Sequence, residues 1–349
     1  MAQLHRVTYC YKRLRAVEYK ADVYLPDEED ARRAGGKDGA PVLCYYHGGG
    51  MCAGNRGWND WLGKWLFYDA LTAGFVVISF DYTLVSPDTA FQIIEDVKDG
   101  LLFIRDELNQ KLAHETAVRV DSRRVAVSGA SGGGCVAYYA GHHSPYPLKA
   151  VLAFYAEGGD FMLDWYNKEK TEPFFLNIPL LDDLSPYERL RDQSKDAPPE
   201  VWTDIGWTPN NRGIYYFYLL QTGQAVDVLS GIRGLSKRLL DLPLAERAAA
   251  VPPEARAVFP SLDIPFSFPP TYLLHGMQDT AVSIDESRNL SRALREAGVE
   301  VKLWEVEGGE HGFDTENGWP GGPGGKDPVL TRKRNEGLKG VVPWLLERV

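Results

Sequence analysis

Six short apolar runs recur along the chain, each long enough for a strand and too short for a helix. They are PVLCYY (41–46), FVVISF (75–80), RVAVS (124–128), KAVLAFY (149–155), TYLLH (271–275) and VKLWEV (301–306). Runs that are apolar throughout, rather than alternating, read as strands buried on both faces of a parallel sheet. Helical segments fall between them. Trp61–Ala73 is helical by spacing, with Gly74 placed to cap its end. Apolar residues at 90, 93, 94, 97, 101, 104 and 108 mark one face of a long helix over Ala90–Leu108. Cys135–Gly141, Ser283–Ala297 and Leu338–Arg348 are the further helices. Strands alternating with helices give a mostly parallel central sheet covered by helices on both faces. Val7–Tyr11 and Glu18–Leu25 add two early strands, the second ended by Pro26, and the charged stretch 27–40 reads as an exposed loop.

One interval breaks the rhythm. About 115 residues separate Tyr155 from Thr271, whereas one βα unit needs about 30. The chain therefore divides into a core of residues 1–156 and 266–349 and an inserted cap or lid subdomain, 157–265. The insert is rich in aromatics: Phe161, Trp165, Tyr166, Phe174, Phe175, Trp202, Trp207 and the run Tyr215-Tyr216-Phe217-Tyr218. These read first as the insert's own small core, and second as a lid lining an apolar pocket.

The 349 residues carry a net charge of −10. That argues against nucleic acid or an anionic membrane as the main partner. No run is long enough for a membrane span, and the amino terminus does not read as a signal peptide. The four cysteines (Cys10, Cys44, Cys52, Cys135) show no paired spacing, so they read as reduced thiols in a cytoplasmic protein, without a metal site. His142-His143 reads as a helix-end surface pair.

Chemistry concentrates at four places. VSGASGGGCV (127–136) contains G-x-S-x-G between a strand and a helix. A serine on such a turn stands clear of the sheet edge, at a helix N-terminus that favours developing negative charge. Ser131 is the candidate nucleophile. His47-Gly48-Gly49-Gly50 follows the strand PVLCYY directly. Consecutive glycines let backbone amides converge on one spot, as an oxyanion requires. The expected hole comprises the amides of Gly49, Gly50 and Gly132. A serine hydroxyl needs a base, and His311, on a loop after the last strand, is favoured over His275 at the end of TYLLH. The base needs a carboxylate. Asp279, a short loop after TYLLH, is favoured over Asp285, which lies at the start of the next helix, and Asp263, which precedes the strand. No metal or organic cofactor is called for.

Together these residues resemble the α/β-hydrolase fold, and within it the hormone-sensitive-lipase-like carboxylesterases. The matches are H-G-G-G (47–50), D-Y-T-L (81–84) against that family's D-Y-x-L, the serine elbow, and the helix FQIIEDVKDGLLFI (91–104). The resemblance implies a triad of Ser131, Asp279 and His311, and a supporting role for His47 and for Asp81 beneath the glycine loop. It implies a small-molecule ester as substrate, with a homodimer as a family-level expectation. Two departures stand out. The family has an acidic residue before the serine and Ala-Gly-Gly after it; here Ala130 precedes it and Gly132-Gly133-Gly134 follow. The family's acid motif begins Asp-Pro; here it is His-Gly-Met-Gln-Asp, closer to peptidase-like and feruloyl-esterase-like relatives. The expected reaction is cleavage of an apolar or aryl carboxylic ester. A lactone, thioester, amide or peptide bond is the alternative, and a non-hydrolytic enzyme or ligand-binding protein on the same fold is the third reading. The Gly/Pro-rich stretch 317–328 reads as a surface loop, or else as a flap over the site.

Overall fold

The computed structural model describes residues 4–57, 62–203, 212–315 and 336–349. The segment 317–328, Trp61 and Trp207 lie outside them. Eight strands among the described residues form one sheet: β1 (His5–Leu14), β2 (Val17–Leu25), β3 (Ala40–Tyr46), β4 (Val76–Phe80), β5 (Val120–Ala130), β6 (Ala150–Phe154), β7 (Thr271–Gly276) and β8 (Val301–Val306). Their spatial order is β1-β2-β4-β3-β5-β6-β7-β8. The first two are antiparallel to their neighbours, and β4 through β8 run parallel.

Every residue of β3 is buried, and alternate side chains feed two separate cores. Val42, Cys44 and Tyr46 pack into one with Ile93, Val97, Leu101 and Val136. Leu43 and Tyr45 enter the other with Leu66, Phe67, Val341 and Leu345. The strand period of two thus explains why the run is apolar throughout. The helices on these faces are α1 (Glu28–Gly35), α2 (Lys64–Thr72), α3 (Ala90–Asp106), α4 (Leu108–Leu112) and α5 (Gly132–His143). Six short helices and a 3-10 turn at Pro253–Val258 lie between β6 and β7: α6 (Asp164–Asn167), α7 (Ser185–Arg191), α8 (Arg212–Gln221), α9 (Ala225–Ser230), α10 (Leu235–Leu240) and α11 (Leu244–Ala250). Then come α12 (Ile284–Glu296) and α13 (Val341–Leu346). None of the described helices is long and apolar enough to cross a membrane.

Three expectations need correction. The stretch 27–40 holds helix α1 rather than only a loop. Acidic residues sit in its first turn and arginines in its last, as the helix dipole favours, and only Ala31 is buried, so it left no apolar stripe to read. The long helix ends at Asp106, and a separate turn, α4, carries Leu108. His142 and His143 end α5 as expected but are half-buried rather than free at the surface. Their Nε2 atoms reach the carbonyls of Pro260 (2.7 Å) and Ala257 (3.2 Å), tying α5 to the end of the segment before β7.

The D-Y-T-L stretch is held by a buried carboxylate. Asp96 on α3 accepts from the Thr83 amide (2.7 Å) and from Lys12 Nζ on β1 (2.6 Å). Its side chain is fully buried and Lys12 is nearly so. Removing one partner of such a pair strands the other charge. Asp96→Ala should therefore lower unfolding stability by about 3 kcal/mol, read as a reduced urea midpoint.

Candidate active site

Strands β3 and β5 lie side by side, while the chain passes through β4 on the far side of β3 before returning. In a parallel sheet such a reversal opens a crevice beyond the carboxyl ends of the strands. The H-G-G-G loop leaves β3 there and Ser131 leaves β5. Ser131 has φ 54° and ψ −126°, a backbone that non-glycine residues rarely adopt. Its amide donates to the Phe154 carbonyl (3.0 Å). The flanking glycines permit the turn: a Cβ on Gly129 would lie 2.0 Å from the Gly133 carbonyl oxygen, and one on Gly133 would lie 2.1 Å from that of Tyr46.

His311 Nε2 is 3.0 Å from Ser131 Oγ, and its Nδ1 is 2.8 Å from Asp279 Oδ2. A carboxylate only accepts, so Nδ1 carries the proton and Nε2 is left to accept from the serine hydroxyl. Asp279 Oδ1 accepts from the amides of Ala281 (2.9 Å) and Val282 (2.8 Å), and its side chain is buried. Burial opposes its ionisation, but the His311 charge and hydrogen bonds from His275 and His311 hold its carboxyl well below the usual carboxylate range. Burial likewise disfavours a charged His311, yet the charge of Asp279 and its hydrogen bond leave the ring's pKa above the ordinary histidine value. The two loops touch: a Cβ on Gly276 would lie 2.3 Å from the Gly309 carbonyl oxygen. Glu310 clamps them, its Oε1 accepting from the Thr280 (2.7 Å) and His311 (2.8 Å) amides.

A Cβ on Gly132 would lie 2.8 Å from the Gly50 nitrogen and 2.6 Å from that of Met51. Among the described residues neither amide has an acceptor. Gly49 has φ 110° and its carbonyl accepts from Cys52 and Ala53, both at 3.0 Å, closing the turn that presents them.

A family model described as BD-FAE matches residues 21–153. The probable carboxylesterase M8 of a Phoma species is 25% identical, the match covering 90% of this chain and 91% of that protein. The non-reducing polyketide synthase ausA of Aspergillus calidoustus is 29% identical over 88% of this chain, which spans only 13% of that relative's length. The butyrate-bound structure of esterase Est2 from Thermogutta terrifontis superposes with a TM-score of 0.55, covering 98% of this chain and 94% of its own, at 17% identity, a likeness of fold. The fold is that of the α/β-hydrolases, and the chain is similar to carboxylesterases built on it.

Other expected site residues have varied surroundings. His47 is buried; its Nδ1 is 2.8 Å from the Gly48 carbonyl and its ring stacks on Tyr82 at 4.3 Å. Burial pushes its pKa down to about 4, so it braces the loop as a neutral ring. Asp81 does not touch the glycines. Its Oδ2 accepts from Arg56 Nη1 (2.6 Å) and the Lys20 amide (3.1 Å), fixing the loop just beyond them. His275 is fully buried, with its nitrogens at Ser287 Oγ (2.7 Å) and the Val282 carbonyl (2.9 Å). Its Nε2 also lies 3.3 Å from Asp279 Oδ2. Asp285 and Asp263 are exposed and pair with Arg288 and Arg256.

Sequence reasoning missed three groups. Tyr155 packs edge-on against the His311 ring (4.7 Å between centroids) and donates to Asp314 Oδ1 (2.6 Å). Glu157, fully buried directly after β6, puts Oε1 2.8 Å from a Cβ built on Gly132. Tyr216 on α8 lays its ring over Gly50, where a Cβ would come within 2.2 Å of it, and its hydroxyl donates to Glu157 Oε2. The only signal for Glu157 was an acid set immediately after an apolar strand. Because a methyl at position 132 would press on Gly50, Met51 and Glu157 at once, Gly132→Ala should destabilise the protein by about 2 kcal/mol, seen as a lower thermal or urea midpoint.

Proposed function

We propose that the chain is a serine hydrolase that cleaves a carboxylic ester of an apolar or aryl small molecule through an acyl-enzyme. The observation that carries this reading is the continuous hydrogen-bonded line Ser131–His311–Asp279, with spacings of 3.0 and 2.8 Å. His311 takes the Ser131 proton as Oγ attacks the ester carbonyl. The carbonyl oxygen becomes the oxyanion, held by the amides of Gly49, Gly50 and Gly132; the spare Met51 amide lies beside them. Collapse of the tetrahedral adduct expels the alcohol, which takes the proton from His311. Water, deprotonated by the same ring, attacks the acyl-enzyme and releases the acid and free Ser131. Asp279 fixes the tautomer and stabilises the imidazolium.

The segment 157–265 serves as the cap. Support comes from Tyr216, which reaches from α8 onto Gly50, and from Phe174 and Phe217, stacked at 4.4 Å among the insert's own buried aromatics. A second reading keeps the triad and changes the bond to a thioester. It is favoured by the non-reducing polyketide synthases among the relatives. Comparing kcat/KM for matched aryl esters and N-acetylcysteamine thioesters separates the two.

Ser131→Ala should cut hydrolysis of short p-nitrophenyl acyl esters by about 10⁴-fold or more and abolish fluorophosphonate labelling, with the circular dichroism unchanged; retained turnover would sink the assignment. Asp279→Asn should lower kcat by about 10³–10⁴-fold. The base must be neutral, and Asp279 raises the pKa of His311. The acid limb of the kcat/KM profile should therefore lie above the ordinary histidine value of about 6.5, and a limb at pH 5 would contradict this.

A further inference from the structure

Among the described residues, Glu157 is a buried carboxylate beside Gly132 that the mechanism above leaves unused. It is fully buried, and its amide donates to the Ser131 carbonyl (3.3 Å). Oε2 accepts from the Tyr216 hydroxyl, while Oε1 has no partner among the described residues. That free oxygen faces Gly132, beside the Gly50 and Met51 amides, which also lack acceptors. An ionised carboxylate satisfied by a single phenol in a dry site is costly, and it would repel an oxyanion formed next to Gly132. The protonated acid removes both penalties. Its Oε1–H becomes one more donor without an acceptor, in a group of amides that also have none.

We propose that Glu157 acts in its neutral form as a catalytic residue, donating a hydrogen bond from Oε1 to the oxyanion alongside the amides of Gly49, Gly50 and Gly132. This rests on the serine-hydrolase reading above. Glu157 keeps its proton throughout: the hydrogen bond shortens as charge develops on the carbonyl oxygen and relaxes when the adduct collapses.

The surroundings agree. Burial pushes the Glu157 pKa up to about 7, against the pull of the Tyr216 hydrogen bond and of a charged His311. Other ionisable groups face it from α5 (Cys135, Tyr139), α6 (Tyr166), α12 (Glu286) and the loops after β3 and β4 (Cys52, Tyr82). Burial raises the pKa of each, so the two thiols and three phenols stay neutral at neutral pH, and the Glu286 carboxyl is pushed in the same direction. A neutral His311 no longer pulls on Glu157, so the catalytically competent ring is the one that leaves the acid protonated. Activity then needs His311 deprotonated and Glu157 protonated, which gives a narrow bell in pH whose alkaline limb belongs to Glu157.

The test is the kcat/KM profile for p-nitrophenyl butyrate from pH 5 to 9.5, for wild type, Glu157→Gln, Glu157→Ala and Tyr216→Phe, each checked for folding by circular dichroism. Glutamine keeps a donor and cannot ionise, so its profile should lose the alkaline limb. Alanine removes the donor and should lower kcat by about 10²-fold. Tyr216→Phe keeps the ring over Gly50 and deletes the bond that lowers the Glu157 pKa, so the alkaline limb should move to higher pH. An alkaline limb that persists in Glu157→Gln and does not shift in Tyr216→Phe overturns the proposal, whatever the loss of activity, since a purely structural role lowers rate without moving the limb. Wild type that neither turns over the ester nor reacts with a fluorophosphonate fails the hydrolase reading instead.

Discussion

The backbone at Ser131 is the constraint on which the site depends. A residue with positive φ and a side chain costs of order 1–3 kcal/mol to hold in place, and the structure over-determines it. The Ser131 amide is bonded to β6, its carbonyl accepts from Gly134 (2.9 Å) and Glu157, and the glycines on either side are in backbone contact. Relaxing that conformation would swing Oγ away from His311 and separate α5 from the end of β3. The strain is paid for by the two cores beneath the sheet, which fix β3, β5 and β6 in register before the turn begins.

The same packing explains the division of labour among the charged groups. Asp279 is buried yet ionised, because two amides and two imidazoles surround it. Asp81 is buried with one guanidinium and the backbone amides of Lys20 and Arg56, and burial raises it to about 6. Glu157 has a phenol alone. Three carboxylates at similar depth thus differ in charge because they differ in the number of donors they were given, and the one with the fewest lies beside the place where negative charge would form.

Much of this could be read from the chain. The apolar runs marked β3 to β7 because parallel strands inside the sheet are buried on both faces, the half-buried edge strand β8 showed a weaker run, and the Ser131, Asp279 and His311 loops followed because each comes after one of these strands. What escaped was set by tertiary contact. Helix α1 shows no stripe, since it buries one residue. Tyr216 lies in an aromatic run with Tyr215, Phe217 and Tyr218, all buried; nothing in the spacing tells which ring turns toward Gly50. Glu157 sits in AEGGD, which reads as a polar loop.

One departure from the family pattern did carry the information. Where the pattern that the sequence resembles has alanine after the serine, this chain has Gly132, and in isolation that looks like a neutral loss of a methyl. The geometry gives it a cause: the volume that the alanine methyl would fill is bounded by the amides of Gly50 and Met51 and by Glu157 Oε1, each closer than 3 Å. A carboxyl group at 157 and a side chain at 132 compete for the same space, so the glycine is the condition for bringing the acid up to the nucleophile's helix. Gly132 reads less as a weakened elbow than as room made for another polar group, while the neighbouring glycines at 129 and 133 serve the turn itself.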